Sequence, residues 1–412
     1  MWRRPRLGKA GPVTAPDGEG TDVFDTKVRD REVHTGPRPA HQPQWSDHPQ
    51  YELARRKLAT APALVTAAEV ADLRTVLADV AAGRAVLLQA GDCVESLSEC
   101  TAKHVAGKLA VLDRLAERMA ARTGVPVVRV GRIGGQFAKP RSRATEWYCG
   151  RELPTFRGHM INSTLATPAA RQPDPHRMVL AYDAAAVVTH LVGQRRLAAT
   201  GPWTSHEALV LDYEESLVRV DPASGTTLLA STHLPWIGER TRQPDGAHVA
   251  LLASVANPVA CKIGPNAAPD DVVRLCRLLD PDRVPGRLVL VMRMGRRGIT
   301  DAMPGIVVAV RRAGHPVIWL SDPMHGNTVR AGNGMKTRYL RDVAAEASAF
   351  REILEGHGQH AGGLHLEVAA ADVTECVGGT VADDAALRSR YTTLCDPRLN
   401  PDQAATLIDA WT

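Results

Sequence analysis

The sequence predicts a (β/α)8 barrel with an N-terminal extension and extra helices. The chain has 412 residues and a mass of 44.3 kDa, which suits one large α/β barrel or two ordinary domains. Short apolar runs alternate with helical patterns along most of its length, as expected for a parallel sheet. Eight such runs can be counted, which favours the barrel over the alternative, an open doubly wound sheet.

The first 60 residues are interpreted as an N-terminal extension that is partly disordered, and residues 61–412 as the barrel domain. Up to about Asp47 the chain is rich in Pro, Gly and charge and has no sustained apolar period. The first predicted helix starts near Thr66. Thr66 and Glu69 form a capping-box pattern there, followed by apolar residues at helical spacing that end at Gly83.

The eight apolar runs are the predicted strands of the barrel. They are residues 85–90, 125–130, 233–237, 260–263, 287–291, 316–320, 363–368 and 391–395. Helical patterns lie between them, for example from Val105 to Met119 and over residues 271–279. The stretch from residue 178 to residue 232 has no clear pattern, and we expect extra helices there, outside the barrel repeat.

Composition and charge exclude several classes of protein. Hydrophobic residues make up 44% and charged residues 23%, which is globular composition. We expect a cytoplasmic protein without membrane contact, because no apolar run approaches the roughly 18 residues of a membrane span and no secretory signal is visible. Seven cysteines without framework spacing argue against a disulfide scaffold. The net charge of +5 suits a phosphorylated anionic substrate, and we expect no nucleic-acid partner.

Polar residues follow the apolar runs, at the end of the strands where barrel enzymes place their active sites. Four of them combine one thiolate, one imidazole and two carboxylates, a donor set that could hold Mn, Fe, Co or Zn. They are Cys93, His325, Glu367 and Asp396. Taken singly, each has a simpler interpretation, since a lone Cys is more often a small buried hydrophobe and a strand-end Asp more often a turn former.

A second group at the same rim is cationic. Its members are Arg132, Lys139, Arg141, Arg240, Lys262, Arg293 and Lys336. The chain has 42 Arg and eight Lys, so a Lys retained in a Gly- and Pro-rich loop indicates a point charge or proton donor that a planar guanidinium does not replace. Seven cations in one mouth predict several anionic substrate groups, such as two phosphates and a carboxylate. Solvated surface charge is the alternative for each of them.

With these residues in view, the chain resembles the type II (plant-like, class II) 3-deoxy-D-arabino-heptulosonate 7-phosphate (DAHP) synthases from about Gln42 to the C-terminus. Several ordered motifs carry the resemblance. They are Gln-Ala-Gly-Asp-Cys at residues 89–93, and residues 132–142, 236–242, 322–328, 364–367, 374–376 and 395–400. So many motifs in the same order make a chance agreement negligible.

The resemblance implies a (β/α)8 barrel that condenses phosphoenolpyruvate with erythrose 4-phosphate to DAHP and phosphate, the first step of the shikimate pathway. It implies a divalent metal, Mn²⁺ first and Co²⁺ as an alternative, and a homo-oligomer, which we expect to be a dimer. The metal falls to Cys93, His325, Glu367 and Asp396.

The resemblance also divides the cations between the two substrates. Phosphoenolpyruvate falls to Arg132, Glu239, Arg240, Lys262 and Arg293. Erythrose 4-phosphate falls to Lys139, Pro140, Arg141, Ser142 and Lys336. Two catalytic roles are hypotheses: Lys262 contacts the reacting carboxylate and phosphate and relays a proton, and Glu239 orients the attacking water.

Two departures from the family pattern bear on regulation and substrate. Larger members carry a helical insertion between the second and third barrel strands that contributes to feedback inhibition, whereas here about 90 residues separate Ser142 from His233. We therefore predict weak or absent inhibition by tryptophan and phenylalanine, as suits supply of a specialised aromatic product. His159 stands where the family usually has Asp, which keeps open an amino-DAHP synthase that uses an imino or amino analogue of erythrose 4-phosphate.

Further alternatives remain at this stage. A metal-dependent barrel hydrolase would use a similar donor set but would not need so many phosphate-grade cations. A catalytically inactive homologue should have lost metal ligands, and all four are present. If residues 391–395 form strand eight, barrel closure also brings Cys395 near Cys93, and a disulfide between them would remove a metal ligand.

Overall fold

A computed structural model of the chain describes residues 39–148, 150–196 and 200–412. The first 38 residues of the predicted N-terminal extension lie outside this part. Pro39–Thr412 form one compact unit, so residues 39–60 belong to the same unit as the barrel. They include a helix, Tyr51–Thr60, that the sequence did not predict, and its buried Leu58 packs in one apolar cluster with Met178 and Tyr182.

The described residues form ten α-helices in chain order. They are α1 (Tyr51–Thr60), α2 (Ala67–Ala81), α3 (Ala102–Thr123), α4 (His176–Arg195), α5 (Leu211–Ser216), α6 (Ala247–Ala253), α7 (Pro269–Leu279), α8 (Ile299–Arg312), α9 (Leu340–Gly356) and α10 (Pro401–Trp411). The predicted start of α2 is confirmed, because Thr66 caps the helix and forms a capping box with Glu69. None of these helices is long and apolar enough to cross a bilayer.

The same residues form fourteen strands. They are β1 (Val86–Gly91), β2 (Val127–Arg132), β3 (Thr145–Tyr148), β4 (Arg151–Pro154), β5 (Trp203–Glu207), β6 (Val218–Val220), β7 (Thr227–Leu229), β8 (Leu234–Ile237), β9 (Val259–Ile263), β10 (Leu288–Met292), β11 (Ile318–Ser321), β12 (Val329–Arg330), β13 (Lys336–Thr337) and β14 (Ala361–Glu367). Three antiparallel pairs, β3–β4, β6–β7 and β12–β13, lie outside the main sheet.

Eight parallel strands close into a barrel in the order β1-β14-β11-β10-β9-β8-β5-β2, which confirms the predicted fold class. Closure is made by β1, where Leu87 lies opposite Gly363 of β14 and Val128 of β2. Apolar side chains from these strands fill the barrel interior, Leu87 and Val130 among them. The carboxyl ends of the strands therefore share one rim, as the sequence pattern requires.

Two strand predictions were wrong. Residues 391–395 form no strand but an irregular segment, in which the Tyr391 hydroxyl donates to the Lys336 carbonyl and Thr393 accepts from Cys395 N–H. The missing barrel strand is β5, which lies in the stretch from residue 178 to residue 232 where only extra helices were expected. That stretch holds α5 and most of α4 as well.

Strand β5 was missed because three of its four buried residues are polar. Its sequence is Trp-Thr-Ser-His-Glu, and the first four residues are buried. Ser205 accepts from Gln89 at 2.8 Å, Thr204 contacts the His233 ring at 2.8 Å, and the His206 ring contacts a buried Glu at 2.8 Å. Hydrogen bonds thus replace apolar contact inside this part of the barrel, and an apolar-run criterion cannot detect such a strand.

Candidate active site

The four predicted metal ligands come together at the barrel rim, and we call Cys93, His325, Glu367 and Asp396 the donor cluster. Cys93 follows β1, Glu367 ends β14 and His325 begins a 3₁₀ turn after β11. His325 Nε2 lies 3.0 Å from Glu367 Oε1, and the Asp396 amide donates to Cys93 Sγ at 3.2 Å. Asp396 comes from the irregular segment after residue 395, not from a barrel strand.

The ammonium of Lys139 lies among these donors. Its Nζ is 2.7 Å from Cys93 Sγ, 3.2 Å from Glu367 Oε1 and 2.7 Å from Asp396 Oδ2. In the described part of the chain, no three His, Cys, Asp or Glu side chains stand in the arrangement of an assembled metal site. The reason is physical, since an ammonium holds its partners at hydrogen-bond distance whereas a metal draws them to about 2.0–2.3 Å. Three of the four donors nonetheless meet at one ammonium, and the fourth, His325, contacts Glu367.

The ionisation of the donor cluster reflects this pairing. Burial opposes the charged form of Glu367, but His325, Lys139 and Arg338 hold its pKa well below the ordinary value. Lys139 and Arg338 likewise hold the pKa of Asp396 low against the effect of burial. Burial lowers the pKa of His325, which favours the neutral imidazole that a metal requires. Burial raises the pKa of the Cys93 thiol, which would have to ionise to bind a metal.

Beside the donor cluster lies what we call the cationic cup, formed by Arg132, Arg240, Lys262 and Arg293. Three of them line a cleft of about 390 Å³ together with Glu239, Lys139 and His325. Arg132 is buried at the end of β2 and lies 5.1 Å from the Trp236 ring centroid, and Lys262 lies 5.6 Å from the same ring. Trp236 therefore supports both cations from below.

Asp322 joins the cup to the donor cluster. Its carboxylate lies 2.9 Å from Lys262 Nζ and 2.8 Å from His325 Nδ1, so His325 presents Nε2 towards Glu367. Such a carboxylate behind an imidazole fixes its tautomer in metal sites. Burial lowers the pKa of Lys262, although Asp322 acts in the opposite direction.

Three of the five residues predicted to bind the aldose phosphate, Arg141, Ser142 and Lys336, line a second cavity of about 670 Å³ that shares Ser142 with the first. Arg141 donates to the Phe156 carbonyl at 2.7 Å and to Glu146 Oε2 at 2.9 Å. Lys336 Nζ lies 2.9 Å from Asp396 Oδ1. Pro140 lines the smaller cavity beside Lys139. All fourteen predicted site residues thus lie around one mouth.

Sequence reasoning missed three residues of this mouth. Arg338 is fully buried, with Nη2 2.8 Å from Glu367 Oε2, and Asp322 supports Lys262 and His325. The third, Glu207, ends β5 and lines the smaller cavity, where its Oε1 is buried without a hydrogen-bond partner among described atoms. Asp322 and Arg338 flank His325 and Lys336, which is a signal that could have found them. Glu207 is the last residue of β5, a strand that the sequence did not predict, so no strand end pointed to it.

Glu207 and Glu239 differ in how they are held. Both carboxylate oxygens of Glu239 accept from Arg242 at 3.0 Å. Burial raises the pKa of Glu207, against the pull of Lys262 and Lys139. A Cβ at Gly238 would lie 2.1 Å from Glu207 Oε1, so the absence of a side chain there makes room for the carboxylate.

His159, which stands where the family usually has Asp, does not line the larger cavity. The His159 ring packs edge-on against Phe156, 5.3 Å between centroids, and Phe156 rather than His159 lines the larger cavity.

Cys93 and Cys395 are both free thiols within one apolar cluster. The sequence predicts that they lie close because they end neighbouring strands. This reason is wrong, because Cys395 lies in the irregular segment and not in a strand. A disulfide between them stays a prediction.

The chain matches one protein family and three known proteins that agree with one another. The family described as class-II DAHP synthetase matches residues 31–199 and 190–410. A probable phospho-2-dehydro-3-deoxyheptonate aldolase of Pseudomonas fluorescens is 50% identical over 380 residues, covering 90% of this chain and 94% of that protein. The phospho-2-dehydro-3-deoxyheptonate aldolase of Streptomyces coelicolor is 40% identical over 421 residues, 89% of this chain and 93% of its own. The phospho-2-dehydro-3-deoxyheptonate aldolase AroG of Mycolicibacterium smegmatis is 37% identical over 422 residues, which cover 89% of this chain and 90% of that protein.

Proposed function

Because the chain belongs to the class-II DAHP synthetase family, we infer that it is a DAHP synthase, which condenses phosphoenolpyruvate with erythrose 4-phosphate and releases phosphate. This is the entry reaction of the shikimate pathway, and we place it in the cytoplasm. The observation that carries the proposal is the convergence of a thiol and two carboxylates on the ammonium of Lys139, with the His325 imidazole 3.0 Å from one of those carboxylates, beside the cationic cup.

We propose that a divalent metal, Mn²⁺ first, binds the donor cluster. The mixed thiolate, imidazole and carboxylate donors fit such an ion, and the gathering of three of them around Lys139, with His325 against Glu367, supports one shared cation position. When bound there, the metal would supply Lewis acidity towards the aldehyde oxygen of the aldose phosphate. For this to happen Lys139 has to leave the donors, which frees its ammonium for the aldose phosphate.

We assign phosphoenolpyruvate to the cationic cup and to Glu239, as the resemblance predicts. Arg240 and Arg293 face the cleft with a hydroxyl and a carbonyl as their partners, so both can turn to an incoming phosphate. Lys262 lies deeper, between Trp236 and Asp322, and is placed to hold the carboxylate of the substrate and to pass a proton. Four cations around one substrate would hold phosphoenolpyruvate in one orientation for attack, which is the entropic part of the rate.

We assign the aldose phosphate to Lys139, Pro140, Arg141, Ser142 and Lys336. Glu146 and the Phe156 carbonyl hold the Arg141 guanidinium at the larger cavity. Ser142 lies where the two cavities meet, so a phosphate held there leaves the aldehyde end directed towards the donor cluster.

Water has to add to the second carbon of phosphoenolpyruvate after carbon–carbon bond formation. The resemblance assigns its orientation to Glu239, which stays a prediction. We extend the proposal to Glu207, because its Oε1 is buried at the same cleft without a partner, whereas Arg242 occupies both oxygens of Glu239. A carboxyl with a raised pKa is also the better proton acceptor at neutral pH.

We further propose that feedback inhibition is weak and that the enzyme serves specialised aromatic metabolism. With β5 as the third barrel strand, the interval that holds the family insertion runs from Arg132 to Trp203. In residues 133–148, 150–196 and 200–202, this interval contains one hairpin, β3–β4, and one helix, α4, which is the crossover helix of the barrel itself. A titration with tryptophan and phenylalanine that inhibits strongly would contradict this proposal. We also expect a dimer.

The proposed reaction is tested by following loss of phosphoenolpyruvate and release of phosphate together. Erythrose 4-phosphate, its imino analogue and no second substrate form three arms, each with Mn²⁺ added or with chelator. We expect both signals only with erythrose 4-phosphate and metal. Turnover with the imino analogue alone would indicate an amino-DAHP synthase, and phosphate release without a second substrate would indicate a hydrolase.

A further inference from the structure

Glu346 is a buried acid for which the proposed reaction has no use. It lies on α9, is 1% exposed and lines neither cavity of the mouth. No cation lies within ion-pair distance of it among the described residues. Burial raises its pKa to about 8, and Asp322 acts in the same direction. Burying an acid without a cation costs free energy of folding, so the contacts that Glu346 makes need an explanation.

All the hydrogen bonds of Glu346 go to two turns at the rim of the barrel. Its Oε1 accepts from the amides of Met294 and Gly295, at 2.9 and 2.8 Å, just after Arg293. Its Oε2 accepts from Asn327 Nδ2 at 2.6 Å, two residues after His325. Asn327 in turn accepts from an amide of the first turn, that of Arg296, at 3.0 Å. The carboxylate therefore ties the turn after β10 to the turn after β11.

The two turns also touch backbone to backbone. A Cβ at Gly326 would lie 2.2 Å from Gly295 N, and a Cβ at Gly295 would lie 2.8 Å from the Gly326 carbonyl oxygen. Gly295 has a φ of +77°, a conformation that favours glycine. In addition, Arg293 Nη2 donates to the His325 carbonyl at 3.2 Å. Neither turn can shift without displacing the other, because close-packed contacts transmit displacement.

We propose that Glu346 is a positioning residue that couples the predicted metal ligand His325 to the predicted phosphate ligand Arg293, by clamping their two turns together. The proposal rests on the proposed function, because it needs a metal and phosphoenolpyruvate at these residues. When Mn²⁺ fixes the His325 turn, the clamp sets the position of Arg293. Each ligand therefore strengthens binding of the other, and the two effects are equal by linkage.

The test measures binding, not turnover. The Kd of phosphoenolpyruvate is measured by calorimetry in the presence of chelator and in the presence of Mn²⁺, and the ratio of the two is the coupling factor. Glu346→Gln keeps one oxygen for the Met294 and Gly295 amides but turns a donor towards Asn327. We expect this variant to lower the coupling factor roughly tenfold, the cost of leaving one buried hydrogen bond unmade. Glu352→Gln, exposed on the same helix, should behave as wild type.

A swapped pair separates positioning from a merely structural role. Asn327→Asp alone places two carboxylates together and should lower the coupling factor further than Glu346→Gln. Glu346→Gln combined with Asn327→Asp restores a donor–acceptor pair and should recover part of the coupling, although the bond from Asn327 to the Pro323 carbonyl is lost. A wild-type coupling factor in Glu346→Gln, or no recovery in the double variant, would overturn the proposal. If wild type binds neither Mn²⁺ nor phosphoenolpyruvate, the proposed function itself fails.

Discussion

The donor cluster and the outer part of the cationic cup lie side by side and handle charge in opposite ways. In the donor cluster each acid already has cations: Glu367 contacts Arg132, Lys139 and Arg338, and Asp396 contacts two lysines. In the cup, Arg240 and Arg293 donate to neutral oxygens and form no ion pair within the described residues. The donor cluster must therefore exchange partners when a metal arrives, whereas the two arginines can accept an anion at once.

The same contrast extends to acids outside the donor cluster. Glu346 is buried and Glu207 has a buried Oε1, neither has an ion-pair partner among the described residues, and burial raises the pKa of both. Glu367 is fully buried and the Asp396 side chain is 19% exposed, but cations lower the pKa of both. The sign of the shift thus follows from the partner and not from depth. Five experiments can break or sharpen this contrast.

The largest effect is expected at Lys262, the innermost cation of the cup. Lys262→Met removes the charge between Trp236 and Asp322, and we expect kcat/KM to fall about 1000-fold, roughly 4 kcal/mol of transition-state stabilisation. Steady-state kinetics with phosphoenolpyruvate varied from below to above its KM measures it. Lys57→Met on the exposed face of α1 is the matched control. Near-normal turnover of Lys262→Met would remove Lys262 from the proposed chemistry.

The next largest effect distinguishes the two carboxylates of the cleft. Glu207→Gln removes a proton acceptor and we expect kcat to fall about 100-fold, in the range of general-base catalysis, with little change in KM. Glu239→Gln should lower kcat less, because Arg242 already occupies its carboxylate. Glu117→Gln, exposed on α3, is the control. The reverse order of the two effects would return the water-orienting role to Glu239.

Lys139 tests the donor cluster by stability in place of activity. Lys139→Met leaves Cys93, Glu367 and Asp396 without their shared cation, and we expect the free energy of unfolding to fall by about 3 kcal/mol in chelator. Added Mn²⁺ should restore most of it, because the metal takes the place of the ammonium. Urea denaturation with and without Mn²⁺ measures both values. An equal loss under the two conditions would mean that Lys139 does not stand in for the metal.

Arg240 should give a smaller effect of a different kind. Its present partner is the Ser142 hydroxyl, so Arg240→Ala leaves no buried charge unpaired. We expect KM for phosphoenolpyruvate to rise about 30-fold, the worth of a charge-assisted hydrogen bond, while kcat stays within about threefold. Arg312→Ala, exposed at the end of α8, is the control. A loss confined to kcat would move Arg240 out of phosphate binding.

The smallest effect concerns pH and Glu346. Its folded pKa of about 8 exceeds the ordinary value of 4.5, so between these values the folded state binds more protons than the unfolded state. The free energy of unfolding should therefore fall as pH rises through this window, by up to about 1.4 kcal/mol per unit from this group. Urea denaturation between about pH 5 and 8 should show a shallower fall in Glu346→Gln than in wild type or Glu352→Gln. Parallel slopes would contradict the assignment.

The sequence predicted the barrel well because most of its strands are apolar runs that leave little choice of environment. It failed at β5, where Ser205 and His206 are buried through hydrogen bonds that no local pattern reveals. It also mistook residues 391–395 for a strand, since β-branched and aromatic residues there serve loop contacts. Local composition indicates burial, but it does not indicate whether burial is achieved by apolar or polar contact.

The sequence predicted which side chains gather at this mouth but not how they pair. Motif positions predicted Cys93 and Glu367 as metal ligands, and the structure brings both to one rim because the strand ends of a barrel share it. Nothing in the sequence indicated that Lys139, assigned to the aldose phosphate, would contact three metal donors. Glu346 was equally invisible, since its partners Met294 and Asn327 belong to two other segments of the chain. Partner choice depends on distances between distant segments, which one sequence does not contain.

Asp396 lies in the irregular segment. Cys93 follows β1, His325 begins the turn after β11 and Glu367 ends β14, so these three are placed by barrel strands. That segment is clamped at Arg398, whose guanidinium reaches Asp92 and Glu375. If the donor cluster binds a metal as proposed, one of its four ligands can be changed by exchanging this short segment without altering any strand of the barrel. Substitutions in these few residues are therefore the most direct way to alter the metal preference of this scaffold.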